Sequence, residues 1–345
     1  MVSERGLQVL RAIVQDYVET HEPVGSRSIV ERHAFGVSAA TIRNDMAQLE
    51  DEDLITAPHT SSGRVPTDKG YRVFVNHLAQ LRPLSAAQRT AIESFLVAPS
   101  DLDDVMARTV RVLTQLTGQV ALAQYPSFAR AKITHLELVA LAPNRVLVIL
   151  VTDAGGISQR VAMLPIDIDD EDIAVLRARL SAVISGRQVA DASERVGDLG
   201  DLDAAFARTQ PALDVIAGVI AEELGEFRQD RLVMAGAATL ARREQDFRGS
   251  IHPLLEAIEE QVTLLRLMSE MVTDEHGLAA SIGTENAPFG LDEASIVASN
   301  YAAPGGTARV GVMGPTRMDY PTNLAAARAV ARYLSRLLEE DDTGR

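Results

Sequence analysis

The sequence contains no cysteine and no tryptophan, and aromatic residues fill only 4% of its 345 positions. Without cysteine there are no disulfides, no thiolate nucleophile and no cysteine-ligated zinc. No apolar run approaches the roughly 18 to 20 residues needed to span a bilayer, and MVSERGLQVL at the start lacks the basic-then-apolar pattern of a secretory signal. With 46% hydrophobic and 23% charged residues, the composition is that of a soluble globular chain with room for two or three cores. The expectation is a cytoplasmic protein.

Excess positive charge is also missing. The net charge is −15, so overall charge does not argue for DNA binding. The charge is uneven, however. Residues 1–82 hold 9 Lys/Arg and 11 Asp/Glu, a net of −2, so most of the acidity lies beyond them. Residues 54–82 carry Arg64, Lys69, Arg72 and Arg82 against Asp68 alone. A local positive field of this kind can serve phosphate contacts, but any case for DNA binding has to come from pattern.

The first 75 residues supply one. Leu7, Leu10, Ile13, Val14, Tyr17 and Val18 recur at helical spacing. His21-Glu22-Pro23-Val24-Gly25 interrupts them, and Ser26 is placed to cap a short helix through about Arg32 or His33. Ser38 is then placed to cap a third helix, Ala39 to about Glu52. At 100° per residue Ile42, Met46 and Leu49 gather on its core side, while Ala40, Asn44 and Ala47 lie opposite, flanked by Thr41, Arg43 and Gln48. Two alanines keep that face slim, as a major groove requires, and Arg, Asn and Thr suit base edges. Leu54–Ala57 and Arg64–Pro66 read as the strands of a hairpin, with His59 and Thr60 near its tip and Thr67 capping a further helix. Helix, helix, recognition helix and hairpin is the order of a winged helix. The candidate DNA-binding residues are Ser26, Arg27, Ser38, Thr41, Arg43, Asn44, Gln48, His59, Thr60 and Arg64.

EPVGSRSIVERHAFGVSAATIRNDMAQLEDEDLI followed by PHTSSGRVPTDKGYRVFV closely resembles the heat-inducible transcription repressor family, HrcA. SIGTEN at 281–286, SIVASNY at 295–301 and RVGVMGPTRMDYP at 309–321 extend the resemblance to the other end, leaving a more divergent middle at about 185–230. The resemblance implies an α+β multidomain protein: a winged helix-turn-helix, then a GAF-like mixed α/β sheet domain interrupted by an inserted, mainly helical dimerising domain. It also implies repression of chaperone operons through an inverted-repeat operator called CIRCE, bound as a homodimer at the nucleoid, with activity set by the chaperonin GroEL.

Periodicity fits this order. Residues 79–125 read as helices, with Ser85 as a cap and Leu102, Val105, Met106, Val110, Leu113 and Leu116 at helical spacing. Segments at 133–141, 146–151 and 157–164 form a strand meander. Helical sequence continues to about Leu224, with a stripe of Leu213, Ile216, Ile220 and Leu224. Strands return near 278–283, 295–301 and 308–313, and a last helix covers 323–338. The expected domains are a winged helix over 1–78, a helical linker over 79–120, GAF-like segments over 121–166 and 256–345, and the dimerising insertion over 167–255. In this reading the strands of 133–164 pair with those of 278–313.

Catalytic constellations are absent from the sequence. The seven histidines make no HEXXH pair or other metal-ligand spacing, and there is no G-x-S-x-G elbow or P-loop. Neither an enzyme, nor a cofactor, nor a metal is expected, which weighs against reading residues 83–345 as a catalytic domain. The remaining alternative is a regulator controlled by a small metabolite, with Glu285, Asn286, Arg317 and Tyr320 lining a pocket in the GAF-like domain.

Overall fold

The computed structural model describes residues 2–59, 62–77, 84–95, 101–128, 130–199, 204–228, 231–242, 244–247, 249, 251–303 and 306–343. They divide into two compact units, one made of residues up to 123 with 232–300 and 309–331, the other of 124–231 with 301–308 and the C-terminal residues from 332.

The first unit begins with α1 (Glu4–Thr20), α2 (Ser26–Arg32) and α3 (Ala39–Asp51). The hairpin β1 (Ile55–Thr56) and β2 (Val65–Pro66) and helix α4 (Asp68–Asn76) follow. Ser3, Ser38 and Thr67 cap α1, α3 and α4 by accepting from Gly6, Thr41 and Gly70 N–H groups, which satisfies donors that have no partner inside a helix. Ser26 does not cap α2. Gly25 holds that position without a side-chain bond, and Ser26 is the first helical residue. The α1 core face is Val9, Leu10, Ala12, Ile13 and Val14, so Leu7, Tyr17 and Val18 sit at its margin. Gly70 lets α4 approach the hairpin, since a Cβ there would lie 2.0 Å from the Leu54 carbonyl oxygen.

Helices α5 (Ala86–Phe95) and α6 (Leu102–Thr117) precede β3 (Val120–Gln124). Ser85 caps α5 as expected, accepting from Gln88 N–H. Gly118, at φ 63°, ends α6, and the expected helical stretch to 125 gives way to a strand. Val120–Ala123 are fully buried, so the segment shows none of the alternation that marks a half-exposed strand.

The meander is β4 (Ile133–Ala142), β5 (Arg145–Thr152) and β6 (Ile157–Met163). These three form their own antiparallel sheet, in the order β4-β5-β6. The expectation that they pair with the C-terminal strands is therefore corrected. Their inward residues, among them Leu136, Leu138, Val146, Val148 and Leu150, pack in one core with Leu176, Leu180, Leu213, Ile216, Ile220 and Leu224. Those partners come from α7 (Asp170–Ile184) and α9 (Gln210–Arg228), with α8 (Val189–Gly197) between them. The meander belongs with the helices because these helices, and not the other sheet, cover its inner face.

Strand β7 (Leu232–Ala235) is followed by α10 (Ala237–Arg242), α11 (His252–Glu260) and α12 (Val262–Glu270), then β8 (Leu278–Ile282), β9 (Ala294–Ala303), β10 (Gly306–Pro315) and α13 (Tyr320–Thr343). A five-stranded sheet has the order β7-β3-β10-β9-β8. β10 runs antiparallel to β3, with Val310 opposite Ala123 and Met313 opposite Val120. Val120, Leu122, Ile296, Ala298 and Met313 pack against Leu254, Leu264, Leu267 and Met268. No helix among the described residues is long and apolar enough to cross a membrane.

Candidate nucleic-acid interface

Helix α3 presents the face its sequence implies. Ile42, Met46 and Leu49 are buried, while Ala40, Arg43, Asn44, Ala47 and Gln48 are exposed and Thr41 is half-buried. Ser38 is exposed at the helix start, with its hydroxyl 3.0 Å from that of Thr41. Arg27 is exposed and Ser26 half-buried at the start of α2.

The far end of α3 is clamped. Asp53 takes φ 58°, the left-handed conformation that ends a helix, and Leu54 N–H bonds back to the Leu49 carbonyl at 2.9 Å. Lys69 Nζ donates to the Glu52 carbonyl at 2.7 Å, and the Thr67 hydroxyl donates to the Asp53 carbonyl at 2.6 Å. A cation at a helix C-terminus is favoured by the helix dipole. Here it also offsets the acidic Glu50–Asp53 run.

Two buried carboxylates hold α3 and α2 against α1. Arg5 forks onto Asp45 with bonds of 2.8 and 2.9 Å, and Asp45 is 2% exposed. Asp16, also buried, receives His33 Nε2 at 3.0 Å and lies 3.7 Å from Arg32. Sequence reasoning missed both. The signal was a charged residue on an apolar stripe: Asp45 falls three residues after Ile42 and four before Leu49, and Asp16 three after Ile13. A carboxylate at such a position requires a basic partner.

At the hairpin, His59 is exposed, and its N–H and carbonyl both bond Ser62 Oγ, at 3.0 and 2.7 Å. Thr60 lies outside the described residues. Arg64, a candidate DNA contact, is held within the protein. Its backbone pairs with Val24 at 2.8 and 2.9 Å, and its guanidinium is held by Glu50 at 2.9 and 2.8 Å.

The four residues expected to line a ligand pocket are occupied by partners within the protein. Glu285 takes the Arg72 fork, with Arg72 Nε at 2.7 Å from Oε1 and Nη2 on Oε2. Asn286 is fully buried and donates to the Ala294 carbonyl at 2.8 Å while accepting from the Ser281 hydroxyl. Arg317 pairs with Asp246 and lies over the Tyr17 ring, 5.5 Å from its centroid. Tyr320 is fully buried, and its hydroxyl is placed to bond the Thr316 carbonyl at 2.7 Å and Ser295 Oγ at 2.9 Å. Burial pushes that phenol far above its ordinary pKa, so it stays protonated. None of the four lines the cavity of about 570 Å³ beside β7 or the one of about 390 Å³ between α1 and α2.

The family model described as the HrcA protein C-terminal domain matches residues 103–323. The heat-inducible transcription repressor HrcA of Clavibacter michiganensis subsp. michiganensis is 62% identical, over 99% of this chain and 100% of that protein. That of Streptomyces avermitilis is 48% identical, again over 99% and 100%. A crystal structure described only as that of a hypothetical protein covers 99% of both chains, with a TM-score of 0.66 and 25% sequence identity. The chain is thus a transcription repressor. It belongs to the heat-inducible transcription repressor family HrcA.

Proposed function

We propose that residues 4–76 are a winged helix that binds double-stranded operator DNA, with α3 in the major groove and the β1–β2 hairpin as the wing. The observation that carries this is the outward face of α3, where exposed Arg43, Asn44 and Gln48 flank the exposed Ala40 and Ala47 on the side opposite a buried apolar stripe. Arg43 suits guanine, Asn44 and Gln48 suit adenine, and Thr41 suits a thymine methyl. Ser26, Arg27, Ser38, His59, Thr60 and Arg64 then contact the backbone and fix the register.

The operator is an inverted repeat of the CIRCE type in front of chaperone genes, bound by a two-fold homodimer because a single small module makes too few contacts. The five-stranded sheet is the GAF-like domain, and residues 124–231 are the dimerising unit. Support for the dimer comes from the outer face of β4–β6. Val139, Leu147 and Val161 form one cross-strand row, and Val151 lies beside Ile157 in another. Val161 is 40% exposed, Ile157 53% and Met163 61%. A contiguous apolar face of this kind marks a protein contact.

The active fraction is set by the chaperonin GroEL. This part of the reading is supported by the β3–β10 pairing, which joins Ala123 to Val310. Such non-local pairing forms slowly and leaves apolar edges open meanwhile.

Footprinting of the full chain on chaperone-operon promoters tests the reading. The wild-type chain should protect an inverted repeat, and Asn44→Ala should lose about 1–3 kcal/mol of specific binding with non-specific binding unchanged. Equal binding by Asn44→Ala would move base reading off α3. Chaperonin with ATP should raise the operator-binding fraction, and unfolded competitor protein should reverse the rise. A fraction unmoved at every temperature would remove the chaperonin from the account.

A further inference from the structure

Helices α1 and α4 meet the sheet-bearing remainder of their unit at two anchors. At the first, Arg72 on α4 forks onto Glu285 and donates to the Ala280 carbonyl at 2.7 Å, while Asp68 accepts the Thr284 N–H at 2.9 Å. The fit is close enough to require glycine at 283. Its φ is 51°, and a Cβ there would stand 2.3 Å from the Asp68 carboxylate. Beside this anchor the buried rings of Tyr71 and Tyr320 lie 5.5 Å apart. At the second anchor Arg317 is stacked near Tyr17, at the end of α1, and paired with Asp246, which also stands 3.6 Å from His21. The expected pocket residues therefore do a different job, since Glu285, Arg317 and Tyr320 all face the N-terminal helices.

Two anchors on different helices fix rotation as well as position, which one contact would not. A planar guanidinium fork adds directional constraint, unlike a single point charge. The first anchor joins α4 to the turn inside the SIGTEN segment, and α3 is itself tied to α4 through Lys69 and Thr67.

We propose that this interface sets the separation of operator half-sites that the repressor accepts. Asp68, Arg72, Thr284 and Glu285 at one anchor and Tyr17, Asp246 and Arg317 at the other are positioning residues that hold α3 at a fixed angle. This rests on the dimeric operator reading above. In a dimer held by residues beyond the winged helix, the reach from one α3 to its partner's runs through these contacts. Each added base pair moves a half-site by about 3.4 Å and turns it by about 35°, so a rigid mount is selective and a loose one permissive.

The experiment measures full-chain binding by fluorescence anisotropy to the footprinted inverted repeat, to versions with the spacer lengthened or shortened by one and two base pairs, and to a single half-site duplex. Wild type should lose about tenfold or more in affinity at each altered spacer, whereas Arg72→Ala and Glu285→Gln should hold all spacers within about threefold of one another. Half-site affinity should stay within about twofold of wild type for both variants. Sharp spacing profiles in wild type and both variants would overturn this proposal alone. A flat wild-type profile would sink the dimeric operator reading and this proposal with it. Loss of half-site binding in Arg72→Ala but not in Glu285→Gln would make Arg72 a DNA contact and overturn its positioning role.

Discussion

Helix α3 and the sheet β4–β6 each bury one apolar face, but what they leave in water is opposite in kind. Outside α3 are Arg43, Asn44 and Gln48; outside the meander are Val139, Leu141, Ile157, Val161 and Met163. Polar groups facing solvent are satisfied by water, so such a face is stable alone. Exposed apolar surface costs free energy for as long as it stays uncovered, so the meander favours a permanent partner and α3 an intermittent one.

The comparison is broken most severely at the buried side of the meander. Leu150, fully buried among Leu136, Val148 and the α7–α9 side chains, should cost about 2–5 kcal/mol on substitution by alanine, read as a lower denaturant midpoint of the full chain. Carboxylates on the opposite face test the partner instead. Val139→Asp with Val161→Asp should raise the dimer dissociation constant about a hundredfold in sedimentation equilibrium, with the far-ultraviolet circular dichroism unchanged. A dimer untouched by both charges would assign the apolar face to something other than self-association. The smallest effect concerns the β1–β2 hairpin. Glu50→Gln releases Arg64 from its ion pair, so non-specific DNA affinity should rise and the salt slope should steepen by at most about one. An unchanged slope would show that Arg64 reaches no phosphate.

How legible all this was depended on how local the information is. α3 was readable because its periodicity and its cap Ser38 lie within one short segment, and the meander because β4 alternates, β5 is a short unbroken apolar run, and the three strands follow one another. Pairing partners were not. β3 is buried on both faces and joins a strand at 310–313, so neither its conformation nor its neighbour is written in its own residues. The partners of the expected ligand quartet were hidden for the same reason. Arg72 lies 213 residues before Glu285, and Asp246 lies 71 before Arg317, and without those partners a cluster of polar side chains resembles a binding site. Arg64 lies beside β2 as its sequence position implies, but its restraint by Glu50 depends on a contact between hairpin and helix that spacing does not encode.

Strands β3 and β7 of the five-stranded sheet are neighbours, although more than a hundred residues separate them in sequence. Just past their ends Tyr125 N–H bonds the Arg231 carbonyl at 2.8 Å, and the Arg231 guanidinium sits 4.4 Å from the Tyr125 ring centroid. The chain thus enters and leaves the segment that carries the meander and its helices at two residues hydrogen-bonded to each other. Residues 126–230 are in this sense a cassette. Exchanging them for the equivalent cassette of a relative should leave the order of strands in the sheet they interrupt unchanged.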